Sequence, residues 1–330
     1  MSPSPPTPTP TSPSDAKAVA RERLRGIWAA TLTPFTTDLG LDLSGWGRNL
    51  RHWYGELGLA GLFVNGKQGE FASMSIDERK ATAEAAIEEA RAYGAGVMVS
   101  VSDQHIEVAA ELTRHAEAAG ADFVVAHTPL LYFGAHTDDT IVAYYHHLAD
   151  QLRGTMGLVL WNQPPDCGYL LRPDLCLRLA REIPAVVAIK YSVDRAVYAE
   201  LSRLAGDEPI VSTSSEVDWL DNIVELGWRV YLCSTPPFLL QTAGDRRMHH
   251  YTEAALAGRV SEARQVWASL EPVRQTLAAS RPPGKAAAHQ KYWQELLGQV
   301  GGPVRRPYLE LTPDEKAATR RAFERCGRVP

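Results

Sequence analysis

Residues 61–102 read GLFVNGKQGEFASMSIDERKATAEAAIEEARAYGAGVMVSVS. Two short apolar runs, GLFVN (61–65) and VMVSVS (97–102), flank a segment whose alanines and isoleucines recur at three and four. Such periods predict strand, helix, strand. Ser75 precedes the helical segment with Glu78 three residues on, the pattern of a capping box.

The same unit repeats outward along the chain. IWAATL (27–32), DFVVAH (122–127), GLVLWN (157–162), AVVAIK (185–190), PIVSTS (209–214) and RVYLCS (229–234) bring the predicted strands to eight. Helical patterns such as DQHIEVAAELTRHAEAAG, with Gly120 as its stop, lie between them. Strict alternation calls for parallel strands with helical crossovers, and eight strands close into a (β/α)8 barrel of the TIM type. A doubly wound open sheet is the rival. No GxGxxG follows the first strand, however, and no second-domain break is visible.

The barrel is expected over residues 25–280, with 281–330 as a helical extension, because helical periodicity continues past the eighth strand for more than one closing helix. Residues 1–18 open with MSPSPPTPTPTSPS and are expected to form a disordered tail, since Pro, Ser and Thr offer nothing to bury.

At 330 residues, net charge -5 and pI near 6.1, the chain has no basic surplus for nucleic acid or an anionic membrane. Cys167, Cys176, Cys233 and Cys326 form no CxxC pair, and His146-His147 and His249-His250 lack ligand spacing. Neither a disulfide framework, a metal nor a cofactor is expected. With no run of about 20 apolar residues and no signal-peptide pattern, the expectation is a cytoplasmic protein with a small-molecule partner.

In such barrels chemistry gathers where the strands end. Lys190 closes AVVAIK, in a chain with only seven lysines among 34 basic residues. Desolvation there would lower an amine's pKa and fit it to attack a carbonyl. The other reading is a lysine that snorkels to solvent or pairs with a carboxylate. Lys67, in NGKQGEF, is the only other lysine at a strand end. It can depress the pKa of Lys190 as a second cation, bind a substrate carboxylate, pair with Glu70 or stand solvated. Thr33, His127, Trp161, Asn162, Ser214, Cys233 and Ser234 also fall at strand ends. Of these Thr33, Trp161, Asn162, Ser214, Cys233 and Ser234 count as expected substrate contacts.

The motifs GIWAATLTPF, NGKQGEFASMSIDER, HTPLLY, WNQP and AIKYS, in that order, resemble the dihydrodipicolinate synthase and N-acetylneuraminate lyase superfamily of class I Schiff-base aldolases. The resemblance runs from about residue 25 to 325. It implies a dimer or tetramer of barrels with C-terminal helices, Lys190 as the Schiff-base lysine, and Gly66, Gly69 and Glu70 as the carboxylate-binding G-x-x-G-E loop. The proton relay departs from the family. Its shuttle tyrosine is Trp161 here, its loop hydroxyls are Lys67 and Gln68, and its tyrosine pair is Leu130-Leu131. An indole cannot shuttle protons at neutral pH. The arginine that dihydrodipicolinate synthases place after the motif matched here by WNQP is Pro165 or Asp166 in this chain. Lys67, Tyr132 and Tyr191 are the candidate replacements for the shuttle. The expected activity is an aldolase or hydratase-aldolase acting through an imine on a 2-oxo acid or related carbonyl, with an apolar or aromatic substituent suited to Trp161 and the leucines. The alternative is a non-catalytic binding or scaffold protein on the same barrel.

Overall fold

The structure is a computed structural model and describes residues 15–206, 208–232, 234 and 236–327. All eight predicted strands are present: β1 (Gly26–Ala30), β2 (Gly61–Val64), β3 (Gly96–Ser100), β4 (Phe123–His127), β5 (Gly157–Asn162), β6 (Val186–Tyr191), β7 (Ile210–Ser212) and β8 (Val230–Leu232). They pair in parallel in the order β7-β6-β5-β4-β3-β2-β1-β8, a (β/α)8 barrel with helices between the strands. The last two strands are shorter than the sequence predicts. At the seam between them a side chain stands in for the ladder: Ser212 Oγ donates to Val230 O (3.0 Å) and accepts from Leu232 N (2.9 Å).

Alternation along each strand sends one set of side chains into the lumen and the other under the helices. Trp28, Phe63, Met98, Phe123, Val125, Val159, Trp161 and Val187 form the inner cluster. Its lower layer is built around Trp28, whose ring needs space that only glycine leaves. A Cβ at Gly61 would stand 2.4 Å from that ring and one at Gly96 2.3 Å. On β6 the pairing runs Leu158↔Val186 and then Val159↔Ala188, so Val187 is an extra residue and joins Ala188 in the inner cluster. Beyond this bulge alternation resumes, and Lys190 points inward while Ile189 and Tyr191 pack beneath the helices.

An N-terminal helix (Ala16–Arg23) lies under β5 and β6, and buries Ala16, Ala20 and Leu24 in the inner cluster. This corrects the expected tail boundary at residue 18. The helix begins at Ala16 because its small residues close the floor of the barrel, with Lys17 bound to Ala180 O and Glu208. The Pro-rich residues 1–14 lie outside the described residues.

Among the described residues six helices follow β8, from Pro236–Leu239 to Pro313–Arg325. Residues 281–327 are fastened to the barrel by specific bonds: Asn49 exchanges hydrogen bonds with Val300 (2.8 and 2.9 Å), and Gln299 joins Trp53 Nε1 to Phe238 O (2.8 Å each). Among the described residues no helix is long and apolar enough to cross a membrane.

Candidate active site

Lys190 lies at the end of β6 with 1% of its surface exposed. Its Nζ is 4.6 Å from the centroid of Phe63 and 5.7 Å from that of Trp161, so two ring faces enclose the amine. The rings meet each other edge to face at 5.6 Å. Cross-strand register explains the arrangement. His127, Trp161 and Lys190 are successive partners on β4, β5 and β6, and Ser212 follows on β7. All four belong to one row near the top of the barrel.

Trp161 is also a wall of a cavity of about 250 Å³ on the β3–β5 side. Phe71, Ser102, Asp103, Gln104, His127, Thr128, Pro129 and Leu130 complete the wall, with Lys67 and Asp166 opposite one another at the half-exposed rim. The volume is below the 300–1,000 Å³ common for drug-sized ligands and suits a small molecule. Lys190 itself is not among the lining residues; Trp161 is the surface the two share.

Several buried polar atoms at this mouth have no hydrogen-bond partner among the described residues: Thr33 Oγ1, Gln68 Oε1, His127 Nε2 and Trp161 Nε1. Buried polar groups are normally satisfied, and of these four His127 and Trp161 belong to the cavity wall. His127 is the most informative of them. Its Nδ1 lies 2.7 Å from Thr128 O, an atom that only accepts, so Nδ1 carries the hydrogen and Nε2 presents its lone pair. Burial pushes the imidazole pKa below its ordinary value, with Asp166 pulling the other way and Lys67 adding to the decrease.

The remaining sequence-predicted residues separate into groups. Lys67 pairs with Asp166 at 2.6 Å, not with Glu70, so its charge is matched across the rim. Glu70 is fully buried, faces away from the cavity lining and meets Lys291 at 2.5 Å. Its bonds tie the Lys67–Gly69 turn to the C-terminal helices. Gly66 and Gly69 give that turn its closeness: added Cβ atoms would meet Phe63 and Thr33 at 3.0 Å.

Asn162 points outward, opposite to Trp161, and braces the loop after β5. It donates to Thr128 Oγ1 (3.1 Å) and Tyr169 O (2.9 Å) and accepts from Leu171 N. Strand alternation turns Tyr191 away from Lys190 and under the helices. Its hydroxyl donates to Leu171 O, and burial pushes its pKa well up. Tyr132 is 68% exposed on the loop after β4 and does not line the cavity. Ser214 shares a hydrogen bond with Ser192 (2.8 Å), and Ser234 lines a separate cavity beside Glu216 and Arg274. Cys233 lies outside the described residues. The sequence placed His127 at a strand end without a role. The signal that singles it out is inward parity with Phe123 and Val125 on the same strand.

Comparison with known proteins follows the same lines. The chain is 27% identical over 298 residues to the 4-hydroxy-tetrahydrodipicolinate synthase of Methanothrix thermoacetophila, covering 90% of this chain and 95% of that protein. It is 28% identical over 307 residues to the N-acetylneuraminate lyase of Rhizobium meliloti, covering 91% and 94%. Among solved structures, a catalytic lysine mutant of the Ruminococcus gnavus sialic acid aldolase superposes with a TM-score of 0.81 at 20% identity, covering 93% of this chain and 96% of that one. Dihydrodipicolinate synthase from Aquifex aeolicus gives 0.79 at 20% identity, with 92% and 98% covered. At those identities the superpositions speak for the fold alone. The Dihydrodipicolinate synthetase family profile matches residues 23–325, and the chain belongs to that family of Schiff-base aldolase-type lyases.

Proposed function

We propose that this protein is a lyase in which Lys190 forms an imine with a 2-oxo acid or related carbonyl compound, and that a carbon–carbon bond is made or broken, or water eliminated, through the enamine. The observation that carries the reading is the placement of Lys190. Its amine sits inside the upper lumen against Phe63 and Trp161, at the strand ends where barrel enzymes hold their chemistry. An imine stores the electron sink next to the bond that reacts, which is why a lysine serves as nucleophile here.

Trp161, Phe71, Pro129 and Leu130 favour an apolar or aromatic substituent in the neighbouring cavity. Lys67 is suited to exchange Asp166 for a substrate carboxylate at the rim, and the Gly66–Gly69 turn with Gln68 and Thr33 frames that position. Relatives that act on small soluble substrates support a cytoplasmic enzyme, assembled as a homodimer or homotetramer, which light scattering would measure.

The test is reductive trapping. The protein is incubated with pyruvate, 2-oxobutanoate, 4-phenyl-2-oxobutanoate and a set of aldehydes in the presence of borohydride, followed by intact mass and peptide mapping. A reduced adduct on the Lys190 peptide, absent in Lys190→Ala, is the expected result. No adduct at Lys190 across the panel would overturn the imine reading and favour a non-catalytic scaffold.

A further inference from the structure

The row His127, Trp161, Lys190 gives the missing proton relay a new location. We propose that His127 is the catalytic residue that moves the proton in the imine chemistry, with Nε2 as the base. The inference rests on the imine reading above and adds to it the residue that takes over from the absent tyrosine.

Three features converge on His127. The first is position: it flanks Trp161 on one side as Lys190 does on the other, and its ring meets Trp161 at 4.5 Å, nearly perpendicular at 88°. Two strand spacings separate the β4 and β6 backbones, about 10 Å. An imine extends from Nζ through C2 and C3 to C4, so a substrate lying over the edge of Trp161 carries its reacting oxygen toward β4.

The second feature is the fixed tautomer. Thr128 O holds Nδ1–H, Ser102 Oγ accepts from the His127 backbone N–H at 2.9 Å, and Nε2 is buried with no partner among the described residues, on a side chain that lines the cavity. The third is charge. Lys67 and Asp166 face the ring as a matched pair, Asp103 is tied to Arg79 at 3.0 Å, and Lys190 lies beyond Trp161. In that setting burial keeps the imidazole neutral near neutral pH, the state a base requires. Tyr191 and Tyr132 do not meet these conditions.

The steps balance. In the cleavage direction the Lys190 iminium is in place, and Nε2 takes the proton of the hydroxyl on C4. The C3–C4 bond breaks, its electron pair forms the C2–C3 double bond of the enamine, the nitrogen becomes neutral, and C4 leaves as a carbonyl. Nε2 then returns the proton to C3, the iminium forms again, and water releases the 2-oxo acid with free Lys190. With a 2-oxo acid alone, the same base removes and returns a C3 proton.

That partial reaction gives a test independent of the natural substrate. Pyruvate and 4-phenyl-2-oxobutanoate are incubated with the full-length protein in D2O; C3 deuteration is followed by proton NMR, with borohydride trapping in parallel. The wild type should exchange, with a pH limb below the ordinary histidine value. His127→Gln should still trap both acids at Lys190 while exchange falls by about 100-fold or more and the limb disappears. Unchanged exchange in His127→Gln, or trapping without exchange in the wild type, would overturn the role of His127. Absence of trapping in the wild type would instead overturn the imine reading beneath it. If His127→Gln loses trapping as well, added imidazole with His127→Ala decides: restored exchange supports the base, and failure to restore it counts against it.

Discussion

Glu70→Gln removes one charge from the buried pair that fastens the Gly66–Glu70 turn, and its consequences can be worked through. Lys291 is 1% exposed and Glu70 0%, with their charged atoms 2.5 Å apart. The Lys291 amine also donates to Pro303 O (2.7 Å) and lies 4.3 Å from the Phe35 ring centroid, while Glu70 Oε2 accepts from Arg305 N (2.9 Å). Gln preserves volume and an acceptor but leaves the ammonium without a counter-charge. Breaking a buried pair from one side costs about 3–5 kcal/mol, and the isosteric change belongs at about 3.

The same energy is roughly two pKa units on Lys291. Burial already holds that amine below the ordinary lysine value in the wild type, with Glu70 opposing the shift. Without Glu70 the folded state sheds the Lys291 proton at still lower pH than the unfolded state does. The unfolded chain then binds more protons across that window, so the variant gains stability as pH rises. Urea unfolding at about pH 7 should show the full deficit, and at about pH 9.5 a smaller one. Glu70→Gln with Lys291→Met should recover much of the loss, because no buried charge remains. A deficit under about 1 kcal/mol at neutral pH, or one that grows with pH, would refute the reasoning.

Two further outcomes follow from the barrel itself. Ser212→Ala strips the side chain that bridges Val230 O and Leu232 N at the β7–β8 seam, and should cost about 2–3 kcal/mol with faster hydrogen exchange at the Leu232 amide; unchanged exchange there would count against the bridge. Gly61→Ala would place a methyl 2.4 Å from the Trp28 ring, and overpacking of about 1–3 kcal/mol or more should appear as a lower urea midpoint, which an unaffected variant would disprove.

The strands were legible because parallel strands are buried on both faces and therefore read as continuous apolar runs, as in VVAIKYS (186–192). Lys190 was legible for the same reason, as the charged residue that ends such a run. Direction was harder to read. Tyr191 and Asn162 stand at the right height but belong to the outward set, while His127 shares the inward parity of Phe123 and Val125. Counting by two from the lumen residues separates Asn162 from Trp161 and picks out His127, whereas on β6 the bulge at Val187 shifts the count by one and hides the direction of Tyr191. The role of Glu70 had no local signal, because its partner Lys291 lies 221 residues away on the helix Ala286–Leu296, where a lysine reads as an ordinary polar position.

The proposed relay has a geometric logic that parallel register supplies. Neighbouring strands place equivalent residues about 4.8 Å apart at one height, so a role at the end of β5 can pass to β4 without displacing the lysine on β6. Trp161, where the family resemblance implies a tyrosine, offers no hydroxyl and forms an apolar wall against which both Lys190 and His127 rest. The base then lies farther from the imine nitrogen than a residue on the adjacent strand would. That separation suits a substrate whose reacting hydroxyl stands two carbons beyond the imine carbon and whose apolar group fills the cavity beside His127. On the proposed reading, a changed proton acceptor and a reshaped pocket go together: Trp161 walls the cavity that His127 also lines, and His127 Nε2 is buried there with no partner among the described residues.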